Sequence, residues 1–397
     1  PSAVVRVVGI TGTDGKTSTA HLLAQALDGL GRPCEYIGTL GSGALDDLEP
    51  ARNTTPDAVS LQRMLAMARD AGRRDCALEA SSHALHQGRV NGVRFTATVL
   101  TNIGRDHLDY HGDIAHYVAA KRMLFGRGDG AVAVLNADDA NGRRFADELR
   151  GKCPVVMYGF ADTAHGAAGS RFVRGEDVVT HAHGLRLKVV SGAASARIDS
   201  PLLGRFNAYN LLAAAAVLVE LGVSLDDAVA ALSAAHTVPG RAEAFHGPRA
   251  APLVVVDYAH TPQALTNVLA ALREHCAGEL ICVFGCGGDR DRGKRPLMAA
   301  AVARGADRCI VTDDNPRTEE PATIVRDIVA GLPAGAKATV CEDRARAIRT
   351  AVDGTRAGDV VLIAGKGHED YQIYGTERRP FSDRALAAEL VGMERAA

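Results

Sequence analysis

The chain has 397 residues, a length that favours two or more domains with a sizeable core. Its 45 lysines and arginines balance 47 acidic residues, so no overall positive charge favours binding to nucleic acid. No apolar run reaches membrane-spanning length, no signal-peptide pattern fits ahead of residue 12, and none of the eight cysteines forms a Cys-x-x-Cys pair. We therefore expect a cytoplasmic protein with free thiols and no membrane or nucleic-acid partner.

The first half of the chain alternates strand-like and helical patterns. The strand-like runs lie at residues 4–10, 76–80, 97–100 and 131–135. This alternation predicts an α/β fold with a mostly parallel, doubly wound sheet covered on both faces. Short alternating segments within residues 155–200 indicate a small antiparallel appendage, and residues 208–221 form a strong helical pattern.

A break at Val238-Pro239-Gly240-Arg241 precedes a second series of strands and helices. Its strand-like runs lie at residues 253–256, 280–284, 308–312 and 360–364. We place the domain boundary near 239–241, which predicts domains 1–238 and 239–397, both of the α/β class.

The first apolar strand ends in a glycine-punctuated turn, and an apolar helical pattern over residues 20–30 follows it. The turn reads Gly12-Thr13-Asp14-Gly15-Lys16-Thr17-Ser18. Glycines let backbone N–H groups approach phosphate oxygens, the helix start adds partial positive charge, and Lys16 and Thr17 suit phosphates and Mg²⁺. The spacing departs from the common Walker pattern, which has a glycine where Ile10 stands, so a chance loop is the alternative. The position between strand and helix favours a nucleoside triphosphate site.

Polar residues also follow the next strands of the first half. Glu79 comes at the end of one strand, where a carboxylate can hold Mg²⁺ or, alternatively, cap a helix or face solvent. The segment 101–112 joins Asn102, Asp106, His107 and His111 in a dense cluster that favours a site over structural histidines. By periodicity alone, Lys121 is an ordinary helical lysine whose charge lies in solvent.

Four strands of the second half end in polar or charged loops. These loops contain Asp257, the basic and glycine-rich segment 285–295, the segment 314–317 and the segment 365–369. Solvated loops are the alternative, but recurrence after four strands favours a site assembled between the two domains.

Taken in order, these motifs resemble the Mur ligase superfamily, ATP-dependent enzymes that form amide bonds in peptidoglycan synthesis. The resemblance covers residues 4–385 and is greatest to the synthetases that make UDP-N-acetylmuramoyl-tripeptide. Its motifs are Gly-Thr-Asp-Gly-Lys-Thr, Asn53-Thr54-Thr55-Pro56, Glu-Ala-Ser-Ser-His, Asn-x-x-x-Asp-His-Leu-Asp-Tyr-His-Gly, Ala-Lys-x-x-Leu-Phe, Asn136-Ala137-Asp138-Asp139, Gly204-x-Phe206-Asn207-x-x-Asn210, Pro-Gly-Arg-x-Glu243, Asp-Tyr-Ala-His-Thr-Pro and Asp-Asn-Pro-Arg. It implies a central P-loop ATPase domain with the antiparallel appendage, followed by a Rossmann-like α/β domain.

The resemblance also implies a reaction and its residues. An acceptor carboxylate would take the γ-phosphate of ATP to give an acyl phosphate, which an incoming amine then attacks. The implied catalytic residues are Lys16, Lys121, His107 and Arg241. The implied nucleotide site is Gly12, Thr13, Asp14, Gly15, Lys16, Thr17 and Ser18 at the phosphates, Asn207 and Asn210 near adenine, Arg241 near the γ-phosphate and Asp257 near the ribose. Two Mg²⁺ ions would be held by Thr17, Glu79, His107 and Lys121, the last as a carbamylated lysine.

The substrate residues are implied in the same way. The family grips a muramoyl-dipeptide acceptor at positions matched by Thr54, Thr55, Ser81, Gln87 and Arg89. The incoming amino acid would meet Arg290, Asp314, Asn315, Arg317, Gly365 and Glu369. The Asp-Asn-Pro-Arg motif resembles the version that selects meso-diaminopimelate rather than lysine, because Arg317 can form a fork onto the distal carboxylate.

One departure leaves the acceptor open. The family carries about a hundred residues ahead of the phosphate loop, in a domain that grips the UDP and sugar. The sequence is therefore either a piece of a longer ligase or a two-domain ligase with a UDP-free acceptor. Alternatives are an amide ligase of a specialised peptide pathway and a non-catalytic nucleotide-binding partner, while folylpolyglutamate synthetase fits these motifs poorly. We expect small-molecule and peptide substrates and a monomer.

Overall fold

The structure is a computed structural model that describes residues 1–128, 130–160, 171–181, 183–247 and 251–392. The chain forms two compact units. The first unit takes the described residues within 1–179, 186–200 and 205–236, and the second takes those within 180–185, 201–204 and 237–397.

A single large sheet forms the centre of the first unit. Its strands are β1 (Arg6–Thr11), β2 (Cys34–Gly38), β3 (Gly41–Ala44), β4 (Asp47–Glu49), β5 (Asp75–Glu79), β6 (Phe95–Leu100), β7 (Val132–Asn136), β8 (Val155–Gly159), β9 (Arg171–His181), β10 (Gly184–Ser191) and β11 (Ala194–Ser200). The spatial order is β11-β10-β9-β8-β7-β6-β1-β5-β2-β3-β4. Strand β1 lies between β5 and β6 and runs parallel to both, so their carboxyl ends meet at one edge of the sheet.

The predicted α/β class and the antiparallel strands within residues 155–200 are confirmed, and the structure shows where these strands attach. Strand β9 pairs in parallel with β8, so the strands β9 to β11 extend the main sheet instead of forming a separate one. The links from β9 to β10 and from β10 to β11 have two residues each, which requires these strands to reverse direction. The other end of the sheet carries a second antiparallel segment, β2-β3-β4, that the sequence reading missed.

Helices cover the first sheet and begin next to the ends of its strands. They are α1 (Lys16–Gly29), α2 (Ala58–Asp70), α3 (Ser82–His86), α4 (Leu108–His111), α5 (Ile114–Arg122), α6 (Ala140–Leu149), α7 (Arg205–Glu220) and α8 (Leu225–Ala234). Strand β1 is buried almost throughout because its run of Val and Ile faces helices on both sides, as in other parallel sheets.

The second unit contains a smaller sheet. Its strands are β12 (Glu243–His246), β13 (Leu253–Asp257), β14 (Leu280–Phe284), β15 (Arg308–Val311), β16 (Ala338–Val340) and β17 (Val360–Ala364), and a separate hairpin joins β18 (Tyr371–Tyr374) to β19 (Glu377–Pro380). The order is β12-β13-β17-β14-β15-β16, with only β12 antiparallel to its neighbour. Its helices are α9 (Pro262–Arg273), α10 (Lys294–Gly305), α11 (Pro321–Val329), α12 (Arg344–Asp353) and α13 (Asp383–Leu390).

Apolar side chains of the second sheet divide between two cores, one on each face. Val255 and Leu362 belong to one core, and Val254 and Ile363 belong to the other, because successive residues of a strand point to opposite faces. Among the described residues, no helix combines the length and the apolar character that crossing a membrane requires.

Candidate active site

The loop after β1 has a backbone that only glycine accommodates. Gly15 has a φ of 81°, and a Cβ added there would lie 2.6 Å from Oδ1 of Asn210. A Cβ on Gly12 would lie 1.8 Å from Oγ1 of Thr101. Lys16 opens α1, and its Nζ donates to the carbonyl oxygens of Gly12 and Thr13, both at 2.9 Å. The loop is therefore a compact turn at a helix N-terminus, the arrangement that binds phosphate in other proteins.

Contacts from neighbouring strand ends hold the rest of this loop. The backbone N–H of Asp14 donates to Oδ1 of Asn102 at 3.0 Å, and Oγ1 of Thr13 lies 3.0 Å from the hydroxyl of Tyr117. Ser18 lies half-buried in the first turn of α1. The residues predicted to bind phosphate thus form one continuous segment, and contacts from the loop after β6 help to hold its shape.

Lys121 is buried, contrary to the interpretation from helical periodicity. Its side chain is 1% exposed, because α5 turns this part of its surface inward. The Nζ donates to the carbonyl of Gly12 at 2.6 Å and lies 4.4 Å from the centre of the Tyr117 ring. Burial, and then the charge of Lys16, lower the pKa of Lys121 to about 6. A large part of this amine is therefore neutral at pH 7.

Glu79 ends β5 as a fully buried carboxylate, which rules out the solvated alternative. It does not cap a helix either, because Ser81 caps α3 by accepting from the N–H of Ala84 at 3.2 Å. The carboxylate accepts from Oγ1 of Thr17 at 2.8 Å, from the Tyr36 hydroxyl at 2.5 Å and from the N–H of Thr39 at 2.9 Å. Glu79 and Thr17 thus present adjacent oxygens, the ligand type that Mg²⁺ prefers.

His107 lies in an aromatic cluster. Its ring is 46% exposed and lies 4.9 Å from the ring of His83 and 6.3 Å from that of Tyr117, and its Nε2 is 3.4 Å from Asp106. The ring of Tyr110 also packs against that of His83, with the ring centres 4.1 Å apart and the planes tilted by 39°. In the part of the chain that is described, no group of three or more His, Cys, Asp or Glu has a geometry that could hold a metal. The predicted metal set of Thr17, Glu79, His107 and Lys121 is therefore only partly brought together, and it stays a prediction.

The predicted adenine-side residues are buried in α7. Nδ2 of Asn210 donates to Oδ1 of Asn207 at 2.9 Å, and its own Oδ1 accepts from Oγ1 of Thr19 at 3.3 Å. Both asparagines are thereby positioned next to the start of α1. Their role in recognising a base stays a prediction.

The five predicted acceptor residues form one hydrogen-bonded group. Oγ1 of Thr55 donates to the carbonyl of Glu79 at 2.7 Å and accepts from the N–H of Ser81 at 3.0 Å. Arg89 donates to the carbonyl of Thr55 at 2.8 Å and to Oε1 of Gln87 at 2.8 and 2.5 Å. Thr54 joins through its Oγ1, 3.1 Å from that of Thr39, which itself bonds to Glu79. The group is continuous with the surroundings of the buried carboxylate.

In the second unit, Asp257 lies at the carboxyl end of β13 beside Arg241. The Asp257 carboxylate accepts from the N–H groups of Ala242 and Ala259, both at 2.7 Å. Burial raises the pKa of Asp257, while these donors and Arg241 act in the opposite direction. Arg241 itself is exposed and lies 5.0 Å from the ring of Tyr258.

The loops after β15 and β17 meet in a compact polar pocket. Nδ2 of Asn315 donates to Oε2 of Glu369 at 3.0 Å, and a Cβ on Gly365 would lie 2.9 Å from Oδ2 of Asp314. Arg317 has a φ of 53° and donates from Nη1 to the carbonyl of Gly288 at 2.8 Å. A left-handed backbone is rare for arginine and marks a position that the surrounding loops hold in place. Arg290, by contrast, is an exposed residue of the loop after β14, and its role stays a prediction.

Sequence reasoning missed several residues of these two sites. Tyr36 and Thr39 hold Glu79, Tyr117 contacts both Thr13 and Lys121, and Lys366 lies among the pocket residues of the second unit. The Gly-Lys-Gly-His-Glu segment after a strand contained the signal for Lys366. Tyr36 and Tyr117 occur in ordinary apolar patterns that contain no comparable signal.

A phosphate-type loop with a buried lysine and carboxylate, on one of two α/β units, defines a nucleotide-dependent enzyme. Residues 10–218 match the Mur ligase middle domain, and residues 240–367 match the Mur ligase glutamate ligase domain. The chain belongs to the Mur ligase family, whose members are ATP-dependent amide ligases.

Three relatives bear out this assignment. Proteins of Alkalilimnicola ehrlichii and Coxiella burnetii, both named UDP-N-acetylmuramoyl-L-alanyl-D-glutamate–2,6-diaminopimelate ligase, are 52% and 47% identical over 397 and 385 residues. The alignments cover 100% and 96% of this chain and 78% of each relative. A solved structure of a ligase with the same name superimposes with a TM-score of 0.78 at 38% identity, over 98% of this chain and 78% of the other.

Proposed function

We propose that this chain joins meso-2,6-diaminopimelate to the γ-carboxylate of the D-glutamate in a muramoyl-dipeptide acceptor, with ATP as the energy source. The observation that carries the proposal is the pocket of Asp314, Asn315, Arg317 and Glu369, together with the similarity to ligases named for diaminopimelate. Arg317 offers a planar cation for a distal carboxylate, which lysine lacks.

The chemistry of the phosphate loop suits activation of a carboxylate. A carboxylate is a poor electrophile, and transfer of the γ-phosphoryl group gives an acyl phosphate with phosphate as the leaving group. Lys16 and the N–H groups at the start of α1 would offset the negative charge that accumulates on the transferring group. The amine of the incoming amino acid then attacks the acyl carbon, the C–N bond forms, and phosphate departs.

The donor atoms of this chain fit Mg²⁺ at the end of β5. Oγ1 of Thr17 and the buried carboxylate of Glu79 lie within a hydrogen bond of each other, and both are hard oxygen ligands. Bound magnesium would neutralise phosphate charge and orient the phosphates. Tyr36 and Thr39 hold the Glu79 carboxylate in place through their own hydrogen bonds.

We infer that Lys121 becomes carbamylated. A neutral amine attacks CO₂, an N–C bond forms, and one proton is released, which converts the neutral amine into a carboxylate-like anion. Lys121 fits this reaction because it is buried, its pKa is lowered to about 6, and its ammonium form competes with Lys16 for the Gly12 carbonyl. An ammonium cannot bind a metal cation, whereas a carbamate oxygen can.

The acceptor and the amino acid would bind through the two hydrogen-bonded groups described above. Arg89 and Gln87 suit the carboxylate and amide groups of a dipeptide, and Thr55 and Ser81 extend toward Glu79. The cytoplasmic location, the monomeric state and the absence of a nucleic-acid partner stay predictions from the sequence.

Phosphate release from ATP tests the proposal. The acceptors are UDP-linked and UDP-free compounds that carry L-Ala-D-Glu, each combined with meso-diaminopimelate or L-lysine. We expect release that requires both an acceptor and meso-diaminopimelate, and a variant Lys16→Met that gives only background. Turnover with L-lysine but not with meso-diaminopimelate contradicts the amino-acid assignment. Background rates in every combination contradict the proposal as a whole. A specialised ligase is distinguished by turnover on the UDP-free acceptor only.

A further inference from the structure

Lys366 is a fully buried lysine whose hydrogen bonds and ion pairs in the described structure go to residues of the candidate amino-acid pocket. Its side chain is 0% exposed, and its Nζ donates to Oδ1 of Asn315 and Oε2 of Glu369, both at 3.1 Å. The Nζ also lies 3.6 Å from Oδ1 of Asp314 and 5.4 Å from the ring centre of Tyr371. Three of these four neighbours are residues that the proposed function assigns to the incoming amino acid.

The hydrogen bonds of Lys366 fix the orientation of the Asn315 amide. Oδ1 of Asn315 accepts from Lys366 and from the N–H of Ile373 at 3.0 Å, while its Nδ2 donates to Glu369. Turning the amide over would place Nδ2 against two donors and Oδ1 against a carboxylate. Lys366 therefore determines which group Asn315 presents and holds Glu369 through a second bond.

Lys366 also balances the charge of the pocket. Asp314 and Glu369 supply two carboxylates within ion-pair distance of Lys366, and Arg317, whose guanidinium donates to the carbonyl of Gly288, supplies a second cation nearby in the same loop as Asp314. Burying an ammonium this completely costs desolvation free energy. If the site were purely structural, an apolar side chain of similar size would stabilise the fold as well. A balanced pocket suits an amino acid whose distal end has one ammonium and one carboxylate, because each charge meets an opposite one.

We propose that Lys366 is a positioning residue for the incoming amino acid, acting through Asn315 and Glu369. This inference rests on the proposed function, since it concerns the same pocket. Loss of the ammonium removes one of the two donors that orient the Asn315 amide and leaves Glu369 and Asp314 without their lysine partner. Affinity for the amino acid then falls, whereas the hydrogen bonds that hold the phosphate loop come from residues of the first unit.

The test compares Lys366→Met with Arg295→Met, which removes a different buried cation of the second unit, paired to Glu319 and Asp327. For Lys366→Met we expect the KM for meso-diaminopimelate to rise about tenfold or more, because a buried carboxylate loses its partner. The KM for ATP should change by less than about twofold, since an unrelated site keeps its contacts. Arg295→Met should show no such split between the two KM values.

Two further measurements separate positioning from a loss of fold. Exchange of oxygen between the bridging and non-bridging positions of ATP, with acceptor present and amino acid absent, reports acyl phosphate formation and should stay at the wild-type rate. Combining Lys366→Met with Glu369→Gln should raise the KM no further than the larger single effect, because the two residues act as one unit. If Lys366→Met does not fold, Lys366→Gln retains an N–H donor and should show the same split between KM values.

The outcomes distinguish this inference from the function on which it rests. An unchanged KM for meso-diaminopimelate, equal rises in both KM values, or additive effects in the double variant overturn the role of Lys366. If the wild-type enzyme shows neither oxygen exchange in ATP nor product, the proposed function is overturned, and this inference falls with it.

Discussion

Lys16 and Lys121 donate hydrogen bonds to the same carbonyl oxygen, that of Gly12, at 2.9 and 2.6 Å. Two ammonium groups that share one acceptor repel each other, and the charge of Lys16 accordingly helps to lower the pKa of Lys121. Converting Lys121 to a carbamate would remove this repulsion and leave Lys16 to the phosphates. The relationship links the phosphate loop to the lysine modification that we propose.

Replacement of Lys121 by alanine tests that link. We expect Lys121→Ala to lower kcat by about a hundredfold or more, because an anionic oxygen ligand is lost. Short carboxylates such as acetate should restore part of the rate, and Lys152→Ala, at an exposed lysine, should leave it unchanged. A wild-type rate in Lys121→Ala would remove the carbamate from the mechanism.

The hydrogen bond between Thr17 and Glu79 predicts how the enzyme responds to magnesium. Thr17→Val keeps the shape of the side chain but removes its oxygen, so we expect activity to fall about tenfold to a hundredfold. More Mg²⁺ should also be needed for half-maximal activity. Thr17→Ser retains the hydroxyl and is the matched control. Equal magnesium requirements for Thr17→Val and Thr17→Ser would contradict a metal-binding role for this oxygen.

Replacement of Arg317 should weaken binding of the amino acid and leave ATP binding unchanged. Arg317→Lys keeps the charge but removes the planar fork, and we expect the KM for meso-diaminopimelate to rise about tenfold to a hundredfold. Arg378→Lys, at an exposed arginine stacked on Tyr371, serves as the control and should have little effect. Parallel increases in the KM for ATP would show that Arg317 acts outside the amino-acid pocket.

Protonation of His21 should lower the stability of the folded chain at acidic pH. Burial, and secondarily His236, lower the pKa of His21 from 6.5 to about 4 in the folded chain, while Nδ1 lies 2.8 Å from Nε2 of Gln25. Because the unfolded chain binds the proton first, the free energy of unfolding falls as the pH drops below 6.5 and goes on falling to about pH 4. The loss from this residue is about 1.4 kcal/mol for each pH unit.

Urea unfolding at pH 7 and pH 5 measures this effect. Between pH 7 and pH 5, the free energy of unfolding should fall by about 2 kcal/mol less in His21→Gln than in the wild type, because glutamine cannot bind the proton. His116→Gln, at an exposed histidine, should follow the wild type. If His21→Gln and the wild type lose equal stability between the two pH values, His21 is not the group responsible.

The alternating strands and helices, the phosphate loop and the carboxylates at strand ends could be predicted from the sequence. Each depends on a local pattern, since buried parallel strands are continuously apolar and a strand that feeds a helix places its last residues at the ligand edge. Glu79 and Asp257 were found in this way, and both lie at the carboxyl ends of their strands. The continuation of the first sheet through β9 to β11 was not foreseen, because pairing at a sheet edge depends on residues distant in the chain.

The sequence by itself determined the α/β class, the family and the segments that contain the chemistry. Only the tertiary structure decided which charged side chains are buried and what they contact. Lys121 reads as an ordinary solvated lysine, and Lys366 as one residue of a polar loop, until the fold places them against Gly12 and against Asn315 and Glu369. The physical reason is that burial of a charge depends on packing between segments far apart in the chain, which no local pattern encodes.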